Sequence, residues 1–515
     1  MNRSRAWRVL RRATFGVAAA LLAALALACV VYPPTYVWRT LTLGDSDVDD
    51  QFYFPKRVVH AAPGAQEVPA APDAERVQRA FAAALPGQDM PAWLAANTTQ
   101  GFVVLQRGRI LYEGYFNGHH RDDPATSFSV AKSVLATLVD LAVADGRIAS
   151  LDLPITTWLP ELRARDTRFE RITLRHLLNM NAGLHYVEYP FLTSDGAKTY
   201  YWPDLRALAL EGSTVERAPG EVWLYNNYHP LLVGLVLERA TGMSVSAWLQ
   251  SRLWQPAGMA GDASWSLDGD TSGFEKLESG INARTLDFAR FGQLLLDEGV
   301  ALDGTRVLAA QAVRAATSPA GAMALPQFRD GAYYKHFWWG QRRADGDYDY
   351  SARGNHGQFV YVSPANQVVI ARNGRDYGVP LIIWSTLNLM TRKACRLATR
   401  PPVRMAASRA THRLPLIVPT MTETCAAKSM VPSMPMLVTP ARSLITPHRA
   451  ARAMGVARTT ELLNIPTRLK DLSRAAQTRK AITKLKASTA TSVPVDLTPR
   501  AIWNAPTPTR MSASR

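Results

Sequence analysis

Between residues 70 and 395, apolar positions recur with two different periods, and the changes of period mark the predicted elements. Apolar residues at helical spacing predict helices over residues 74–84 and 285–298. Shorter runs with strand-like composition lie at both ends of this region. The first pair, separated by the turn at 106–109, predicts a β-hairpin, and the others predict strands near the end. The predicted strands are residues 102–105, 110–116, 334–339, 358–362 and 367–371.

Strands at both ends with helices between them indicate an α/β (α+β) fold class. The simplest architecture is one antiparallel sheet assembled from both chain ends, with helices on its faces and a helical insert beside it. The helix that follows the first hairpin would then lie between sheet and insert, where a cleft is expected. Further predicted helices cover residues 134–143, 172–184, 231–240 and 379–393, with Thr173 as an N-cap and Gly183 as a stop. We interpret His176, within the second of these, as a packed structural residue.

An apolar run over residues 13–32 has the length of a membrane-spanning helix. Five arginines precede it, and the acidic residues Asp45, Asp47, Asp49 and Asp50 follow it. The positive-inside rule therefore predicts a transmembrane signal anchor, with residues 1–12 as a basic cytoplasmic segment. The body would be periplasmic or extracytoplasmic, attached to a bacterial-type inner membrane. Residues 33–72 contain several prolines and predict a connector on the domain surface.

Two alternatives to an uncleaved anchor remain open. A cleaved signal peptide fits the alanine-rich apolar run. The residues before Cys29 also faintly resemble a lipoprotein cleavage box, although the usual leucine is missing. Under all three interpretations the body is exported.

The net charge of +17 over 515 residues is concentrated in the last quarter of the chain. Residues 391–515 hold 22 Lys and Arg against four Asp and Glu, so the remainder is nearly neutral. The segment 396–515 is rich in proline and poor in aromatic residues, which predicts a basic, disordered tail. A basic arm for anionic lipid or nucleic acid is the alternative. The tail shows no nucleic-acid motif, and we expect no nucleic-acid partner.

The three cysteines, Cys29, Cys395 and Cys425, leave the body without an internal disulfide. This leaves the compartment open, because a large core does not need disulfide bridges. No CxxC, HExxH or cluster of His and Cys is present, so the sequence predicts neither a metal site nor a cofactor. The oligomeric state is not indicated.

The pair Ser129 and Lys132 lies at the start of the helix after the first hairpin, three residues apart and on one helical face. A hydroxyl within reach of an amine is the arrangement that activates a serine nucleophile. The helix N-terminus favours developing negative charge, and burial would lower the pKa of Lys132. Such a pair also arises by chance about once or twice in a chain of this length. Further motifs are therefore needed.

Three motifs occur in one order: Ser129-Val130-Ala131-Lys132, Tyr225-Asn226-Asn227, and Gly354-Asn355-His356-Gly357-Gln358. With these three motifs in this order, the chain resembles the β-lactamase-related serine hydrolases over about residues 81–390. We therefore expect a hydrolase domain at residues 73–395. That family includes class C β-lactamases, penicillin-binding carboxypeptidases, esterases and 6-aminohexanoate-dimer hydrolases. The resemblance implies a β-lactamase/transpeptidase-like fold. The Gly-x-x-Gly-Gln pattern and Trp338-Trp339 are most similar to the dimer hydrolase branch.

The resemblance also implies roles by position. Ser129 would be the acylated nucleophile, and Lys132 and Tyr225 would share the acid and base work. Considered alone, Tyr225 would more often be an interface tyrosine beside Trp223 and Tyr228 than a catalytic residue. The backbone N–H groups of Ser129 and Gln358 would form the oxyanion hole. The residues expected to bind or orient substrate are Asn227, Asn355, His356, Gly357 and Tyr186, with Glu188 lining the acyl pocket.

One departure from the family concerns substrate charge. Many relatives carry Lys or His, then Ser or Thr, then Gly where this chain has Asn355-His356-Gly357. The missing cation predicts that neutral esters or linear amides are preferred over penicillins. The leading hypothesis is a membrane-anchored hydrolase of a small-molecule amide or ester. The alternatives are a penicillin-binding-like β-lactamase, a D-Ala carboxypeptidase, an acylating sensor, and a polyanion-binding protein that uses the tail.

Overall fold

The computed structural model describes residues 3–376. The predicted helix at 379–393, the predicted tail at 396–515, Cys395 and Cys425 lie outside the described residues. Strands and helices are numbered in chain order. The strands are β1 (Lys56–Val59), β2 (Thr99–Gln106), β3 (Arg109–Tyr115), β4 (Ala125–Thr126), β5 (Ala263–Ser266), β6 (Ile281–Ala283), β7 (Met323–Ala324), β8 (Ala332–Lys335), β9 (Trp338–Arg342), β10 (Tyr348–Gly354), β11 (Gln358–Ser363) and β12 (Val368–Gly374).

Eight strands form the main sheet, in the order β3-β2-β12-β11-β10-β9-β8-β7, with antiparallel neighbours throughout. The pairing of β2 with β12 joins the two ends of the body, with Val103 opposite Ala371. The predicted sheet from both chain ends is therefore confirmed. A smaller sheet has the order β1-β5-β6-β4.

Helices cover both faces of the main sheet and form the insert. They are α1 (Arg3–Val31), α2 (Pro34–Leu43), α3 (Ala74–Ala84), α4 (Met90–Ala96), α5 (Val130–Ala144), α6 (Pro160–Arg165), α7 (Leu174–Leu178), α8 (Asp195–Tyr201), α9 (Leu205–Gly212), α10 (Tyr228–Thr241), α11 (Val245–Leu249), α12 (Thr285–Leu296) and α13 (Ala310–Thr317). The predicted mixture of helices and antiparallel sheet is thus confirmed.

Strand β2 is buried on both faces because its alternating side chains enter two separate cores. Val103 and Leu105 join the large core that contains α5, α10 and α12, whereas Phe102 and Val104 join a smaller core with α3 and α4. This follows from the strand period of two, which sends successive side chains to opposite faces. Position along β2 therefore decides which helical layer a residue contacts.

Two predicted elements differ from the structure. The strand predicted at 334–339 is two strands, β8 and β9, because His336 and Phe337 have left-handed φ angles of 52° and 59° and turn the chain. The helix predicted at 172–184 is confined to α7, although Thr173 caps it as predicted. Gly183 is not its stop, since this glycine instead approaches the Arg217 carbonyl. Strand β10 was not predicted.

The segment predicted as a surface connector, 33–72, is packed into the body. It contains α2 and β1, and β1 pairs with β5 of the smaller sheet. Tyr36, Phe54 and Val59 from this segment are buried. The prediction of a connector on the domain surface is therefore wrong, because its apolar side chains enter the cores.

Helix α1 contains a 21-residue stretch, Arg11–Val31, that is long and apolar enough to cross a membrane. Its mean hydropathy is 2.5, and none of the stretch is buried. A signal sequence near an N-terminus has the same properties, so the helix supports an anchor or a signal without separating them.

We predict that Gly292→Val destabilises the fold by about 1–3 kcal/mol because helix α12 packs tightly on the sheet. A Cβ at Gly292 would lie 2.6 Å from Val369 Cγ1 and 2.7 Å from Val360 Cγ1. Urea denaturation followed by tryptophan fluorescence measures the change. Ala315→Val, at an exposed position of α13, is the control for adding a β-branched residue to a helix. An equal midpoint for Gly292→Val and the control would contradict the packing argument.

Candidate active site

The turn at Ser127-Phe128-Ser129 presents Ser129 at the N-cap of α5. Phe128 has a left-handed φ of 42°, which is uncommon for a residue with a side chain. Ser127 is fixed by two hydrogen bonds: its N–H donates to the Ile281 carbonyl at 2.7 Å, and its hydroxyl donates to the Ser279 carbonyl at 3.1 Å. The smaller sheet therefore holds the turn, and Ser129 remains half-buried at the helix start.

The side chain of Lys132 is buried next to Ser129. Its Nζ lies 2.8 Å from Ser129 Oγ and donates to the Glu278 backbone carbonyl at 2.8 Å. Burial lowers the pKa of Lys132 to about 7, although the Glu278 and Glu188 carboxylates oppose that shift. Above this pH the amine is neutral, so it has a lone pair that can accept the Ser129 proton.

Tyr225 lies in the loop that precedes α10, next to Lys132. The Lys132 Nζ is 5.1 Å from the Tyr225 ring centroid. The ring stacks on Trp339 at 5.8 Å with an interplanar angle of 26°. The structure therefore brings together Ser129, Lys132 and Tyr225, the three residues predicted to be catalytic.

Two further predicted residues, Asn227 and Tyr186, contact each other at this site. The Asn227 amide Nδ2 donates to the Tyr186 hydroxyl at 3.0 Å. The Asn227 Oδ1 atom is buried and has no hydrogen-bond partner among the described residues. Tyr186 also hydrogen-bonds Glu188, and burial raises the pKa of that carboxyl, while the Lys132 charge opposes the shift. These side chains form a polar wall next to Lys132.

A buried ion pair behind Lys132 was not predicted from the sequence. Lys276 Nζ lies 3.1 Å from Glu278 Oε1, and both side chains are almost fully buried. Lys276 Nζ also lies 3.9 Å from the ring centroid of Tyr200. The pair fixes the segment whose Glu278 carbonyl accepts a hydrogen bond from Lys132. Its signal in the sequence was the cluster of three charged residues, Glu275, Lys276 and Glu278, between the apolar residues Phe274 and Ile281.

Gly354, at the end of β10, packs directly against the nucleophile turn. A Cβ built on Gly354 would lie 2.3 Å from the Ser127 carbonyl oxygen and 3.0 Å from the Ser129 nitrogen. Only a residue without a side chain fits there. The peptide bond between Gly354 and Asn355 therefore lies next to the Ser129 N–H.

Residues 355–357 form a short turn between β10 and β11, and this changes the predicted roles. The backbone N–H of Gln358 donates a hydrogen bond to the Asn355 carbonyl within the turn. Gln358 is therefore not an open oxyanion donor, contrary to the prediction. Gly357 has a φ of 75°, and a Cβ there would meet Arg372 rather than an acyl group.

The side chains of Asn355 and His356 contact the N-terminal segment. Asn355 Nδ2 donates to Ser46 Oγ at 3.3 Å, and His356 Nε2 lies 2.7 Å from the Ser46 carbonyl oxygen. His356 has a left-handed φ of 57°, and its ring lies 5.0 Å from that of Phe128. Substrate binding by these two side chains stays a prediction, whereas their contacts show that they attach the turn to residue 46.

The position of this turn also changes which residues match the family's Lys or His, Ser or Thr, and Gly, and with it the prediction about substrate charge. The glycine beside the nucleophile is Gly354, so the preceding strand residues are Ala352 and Arg353. Ala352 then occupies the place of the family's Lys or His, and the cation Arg353 occupies the place of its Ser or Thr, one residue before the glycine. The Arg353 guanidinium carbon lies 5.0 Å from the Trp339 ring centroid. The neutral side chain of Asn355 consequently gives no reason to exclude substrates that carry a carboxylate.

Residues 3–376 contain no group of three or more His, Cys, Asp and Glu side chains able to hold a metal ion. The chemistry described here needs only a hydroxyl, an amine, a phenol and backbone N–H groups.

Comparisons of this chain with family models and with known proteins all find hydrolases related to β-lactamases. A family model described as Beta-lactamase matches residues 95–374. The 6-aminohexanoate-dimer hydrolase of Paenarthrobacter ureafaciens is 28% identical over 323 residues, which cover 59% of this chain and 79% of that protein. Esterase EstB of Burkholderia gladioli is 31% identical over 214 residues, which cover 38% of this chain and 53% of the esterase.

A solved structure from Bacillus anthracis, described as a candidate 6-aminohexanoate-dimer hydrolase, superposes with a TM-score of 0.59. The match covers 72% of this chain and 96% of that chain at 24% identity. At that identity the similarity supports the fold alone.

We predict that labelling of Ser129 by a fluorophosphonate accelerates through pH 7. The neutral form of Lys132 is the proton acceptor, and its pKa is about 7, so the rate rises as pH increases and levels off above about pH 8. Lys132→Met removes the rising limb. Mass spectrometry of the labelled Ser129 peptide gives the rate at each pH. A rate that is flat from pH 5 to 9, or that rises only near pH 10, would contradict a neutral buried amine.

Proposed function

The chain belongs to the Beta-lactamase family of hydrolases, and from that premise we propose that it is a membrane-anchored serine hydrolase. It cleaves an amide or ester bond through an acyl-enzyme on Ser129. The observation that carries this proposal is the 2.8 Å contact between Ser129 Oγ and the buried Lys132 Nζ. Since burial lowers the pKa of Lys132 to about 7, this contact joins a nucleophile to a base that is neutral near physiological pH.

In the acylation step, Ser129 Oγ attacks the carbonyl carbon while Lys132 accepts the hydroxyl proton. The carbonyl π electrons move to oxygen, which gives a tetrahedral oxyanion. When this intermediate collapses, the bond to the leaving amine or alcohol breaks. The leaving group takes a proton that Tyr225 supplies and Lys132 replaces, since the Lys132 Nζ lies 5.1 Å from the Tyr225 ring centroid. Water then attacks the acyl-enzyme, and proton transfers in the opposite direction release the acid and restore Ser129.

The oxyanion is bound by the N–H of Ser129 and by the N–H of Asn355, which takes the role that was predicted for Gln358. The support for Asn355 is the close approach of Gly354 to the Ser129 nitrogen. The hydrogen bonds of Asn355 and His356 to Ser46 hold this turn in place. Two preorganised N–H donors stabilise the charge that develops in the transition state.

The substrate class follows from the relatives and from the polar wall. One relative is named as a hydrolase of 6-aminohexanoate dimer and another as an esterase. We therefore assign a small-molecule amide or ester as the substrate of this chain. Asn227 and Tyr186 orient it, because the Asn227 amide oxygen is buried next to the catalytic residues and no donor from residues 3–376 reaches it.

Helix α1 anchors the body to an inner membrane. Its apolar stretch spans 21 residues and is not buried in the body. The arginines that precede it and the aspartates that follow it favour a cytoplasmic N-terminus and an exported body. A signal peptide that is removed after export remains the alternative for the same helix.

A penicillin-binding-like activity is the second candidate, and Arg353 is the observation that favours it. A guanidinium on the strand next to the nucleophile offers charge-assisted hydrogen bonds to a substrate carboxylate. Assays with an acetate ester and a chromogenic cephalosporin separate the two candidates by the ratio of their kcat/KM values. Acylation by the cephalosporin without turnover would identify an acylating sensor.

We predict that Ser129→Ala lowers ester hydrolysis by at least about a thousandfold while the fold is kept, because the attacking oxygen is lost. The measurement is kcat for an acetate ester, with circular dichroism as the test of folding. Ser133→Ala is the matched control, since Ser133 lies one turn further along α5 and donates to the Phe337 carbonyl at 2.7 Å. If Ser129→Ala retained activity comparable to the Ser133→Ala control, Ser129 would not be the nucleophile.

We predict that Gly354→Ala lowers kcat by about 10²–10³-fold, the usual effect of losing one oxyanion donor. The added methyl group would lie 2.3 Å from the Ser127 carbonyl oxygen, so the end of β10 must move away from the turn. KM should change much less than kcat, because the donor acts mainly in the transition state. Gly357→Ala is a comparison at the same turn that does not touch Ser129. Unchanged kcat in Gly354→Ala would argue against a donor at Asn355.

A further inference from the structure

Exposed large apolar side chains are unevenly distributed over the body. Between residues 244 and 376, the structure has none. Outside α1, those of the described residues lie in the N-terminal segment, in two loops that flank the candidate site, and at Met243. Contiguous apolar surface on an otherwise polar protein marks a site of interaction.

The loop that supplies Tyr186 and Glu188 has two chemically different sides. Tyr186 and Glu188 face the catalytic residues, as shown by the Asn227 contact and by the interaction of Glu188 with Lys132. The residues that alternate with them, Val187 and Tyr189, are exposed, with Tyr189 45% accessible. The outside of the substrate wall is therefore apolar.

Helix α2 continues this apolar surface. Its inner side buries Tyr36 and Val37, whereas Trp38 and Leu41 are 62% and 59% exposed. The Tyr36 hydroxyl donates to the Leu192 carbonyl at 2.9 Å, which joins α2 to the substrate loop. We define the apolar rim as Trp38, Leu41, Val187, Tyr189 and Leu192.

The rim lies close to the point where α1 would leave a membrane. The 21 residues of Arg11–Val31 are about 31 Å long as a helix, which matches a hydrocarbon core of about 30 Å. Only Tyr32 and Pro33 separate α1 from α2. Two residues extend the chain by at most about 7 Å, so α2 begins within the headgroup layer.

We propose that the apolar rim is inserted into the headgroup layer of the same bilayer, and that the catalytic cleft takes amphiphilic esters or amides dissolved in that bilayer. This rests on the proposed function, since it specifies the substrate class of the Ser129 site. The partner is the lipid surface, because the rim continues directly from a helix of membrane-spanning length. Trp and Leu are suited to this layer, where an apolar face enters the acyl boundary.

Charge does not contribute to this contact. Asp45 and Asp47, which follow α2, are exposed and would repel anionic headgroups. Binding of the rim to lipid should therefore depend little on salt, whereas attraction between a basic patch and anionic lipid weakens strongly as salt is added.

The test uses the full chain reconstituted in phosphatidylcholine nanodiscs. Hydrolysis of a long-chain ester dissolved in the bilayer is compared with hydrolysis of a water-soluble acetate ester. Trp38→Ser combined with Leu41→Ser should lower the rate on the bilayer-dissolved ester by about fivefold or more, since two apolar side chains leave the interface. The rate on the acetate ester should stay within about twofold, because neither residue is in the catalytic machinery. Met243→Ser is the matched control, as Met243 is exposed beyond the far end of α10.

A second measurement detects the contact between the apolar rim and lipid without relying on ester hydrolysis. Brominated phosphatidylcholine should quench part of the tryptophan fluorescence, and the quenched fraction should fall in Trp38→Phe. Equal quenching in both proteins, or equal loss of both ester activities in the double variant, would overturn the proposal. A doubled particle mass that is lost in the double variant would also overturn it, because a second copy would then cover the rim. Activity that survives Ser129→Ala would instead refute the proposed function, while the quenching result would still test the lipid contact.

Discussion

The burial of the Lys132 amine against Ser129 is the constraint on which the rest of the site depends. An ammonium group is strongly hydrated, so enclosing it lowers its pKa from 10.5 to about 7. This shift corresponds to about 5 kcal/mol of disfavoured charging, which the fold must sustain through packing elsewhere. In return, the chain holds a neutral base 2.8 Å from a hydroxyl near neutral pH. The Glu278 carbonyl accepts a hydrogen bond from the amine and keeps it directed at Ser129.

Three parts of the fold meet at this pair. Helix α5 supplies Ser129 and Lys132, the smaller sheet holds the turn before them, and β10 brings Gly354 against that turn. The N-terminal segment adds a fourth part, because Ser46 binds the turn that follows Gly354. The segment that leads from α1 thus reaches the catalytic strand. The candidate cleft therefore lies close to the segment that leads from α1, which is the basis of the proposed lipid contact.

The sequence was sufficient for the parts of the site that depend on local spacing. Ser129 and Lys132 are three residues apart on one helix, so their proximity follows from helical geometry. The sheet from both chain ends also followed from the order of the predicted elements. The register of the turn after β10 did not, because the left-handed residue His356 and the close approach of Gly354 depend on distant contacts. The sequence therefore placed the second oxyanion donor at Gln358, whose N–H is bonded within the turn, whereas the donor proposed from the structure is the N–H of Asn355. The pairing of Lys276 with Glu278 and the packing of residues 33–72 were missed for the same reason.

The central claim is that Ser129 carries the acyl group during turnover. It is tested most directly by quenching the full chain in acid while it hydrolyses an ester, and then measuring the mass of the protein and of its peptides. The account predicts a mass increase equal to the acyl group on the peptide that contains Ser129, and loss of that increase once the substrate is exhausted. Steady hydrolysis with no acylated peptide, or with the acyl group on another residue, would contradict it.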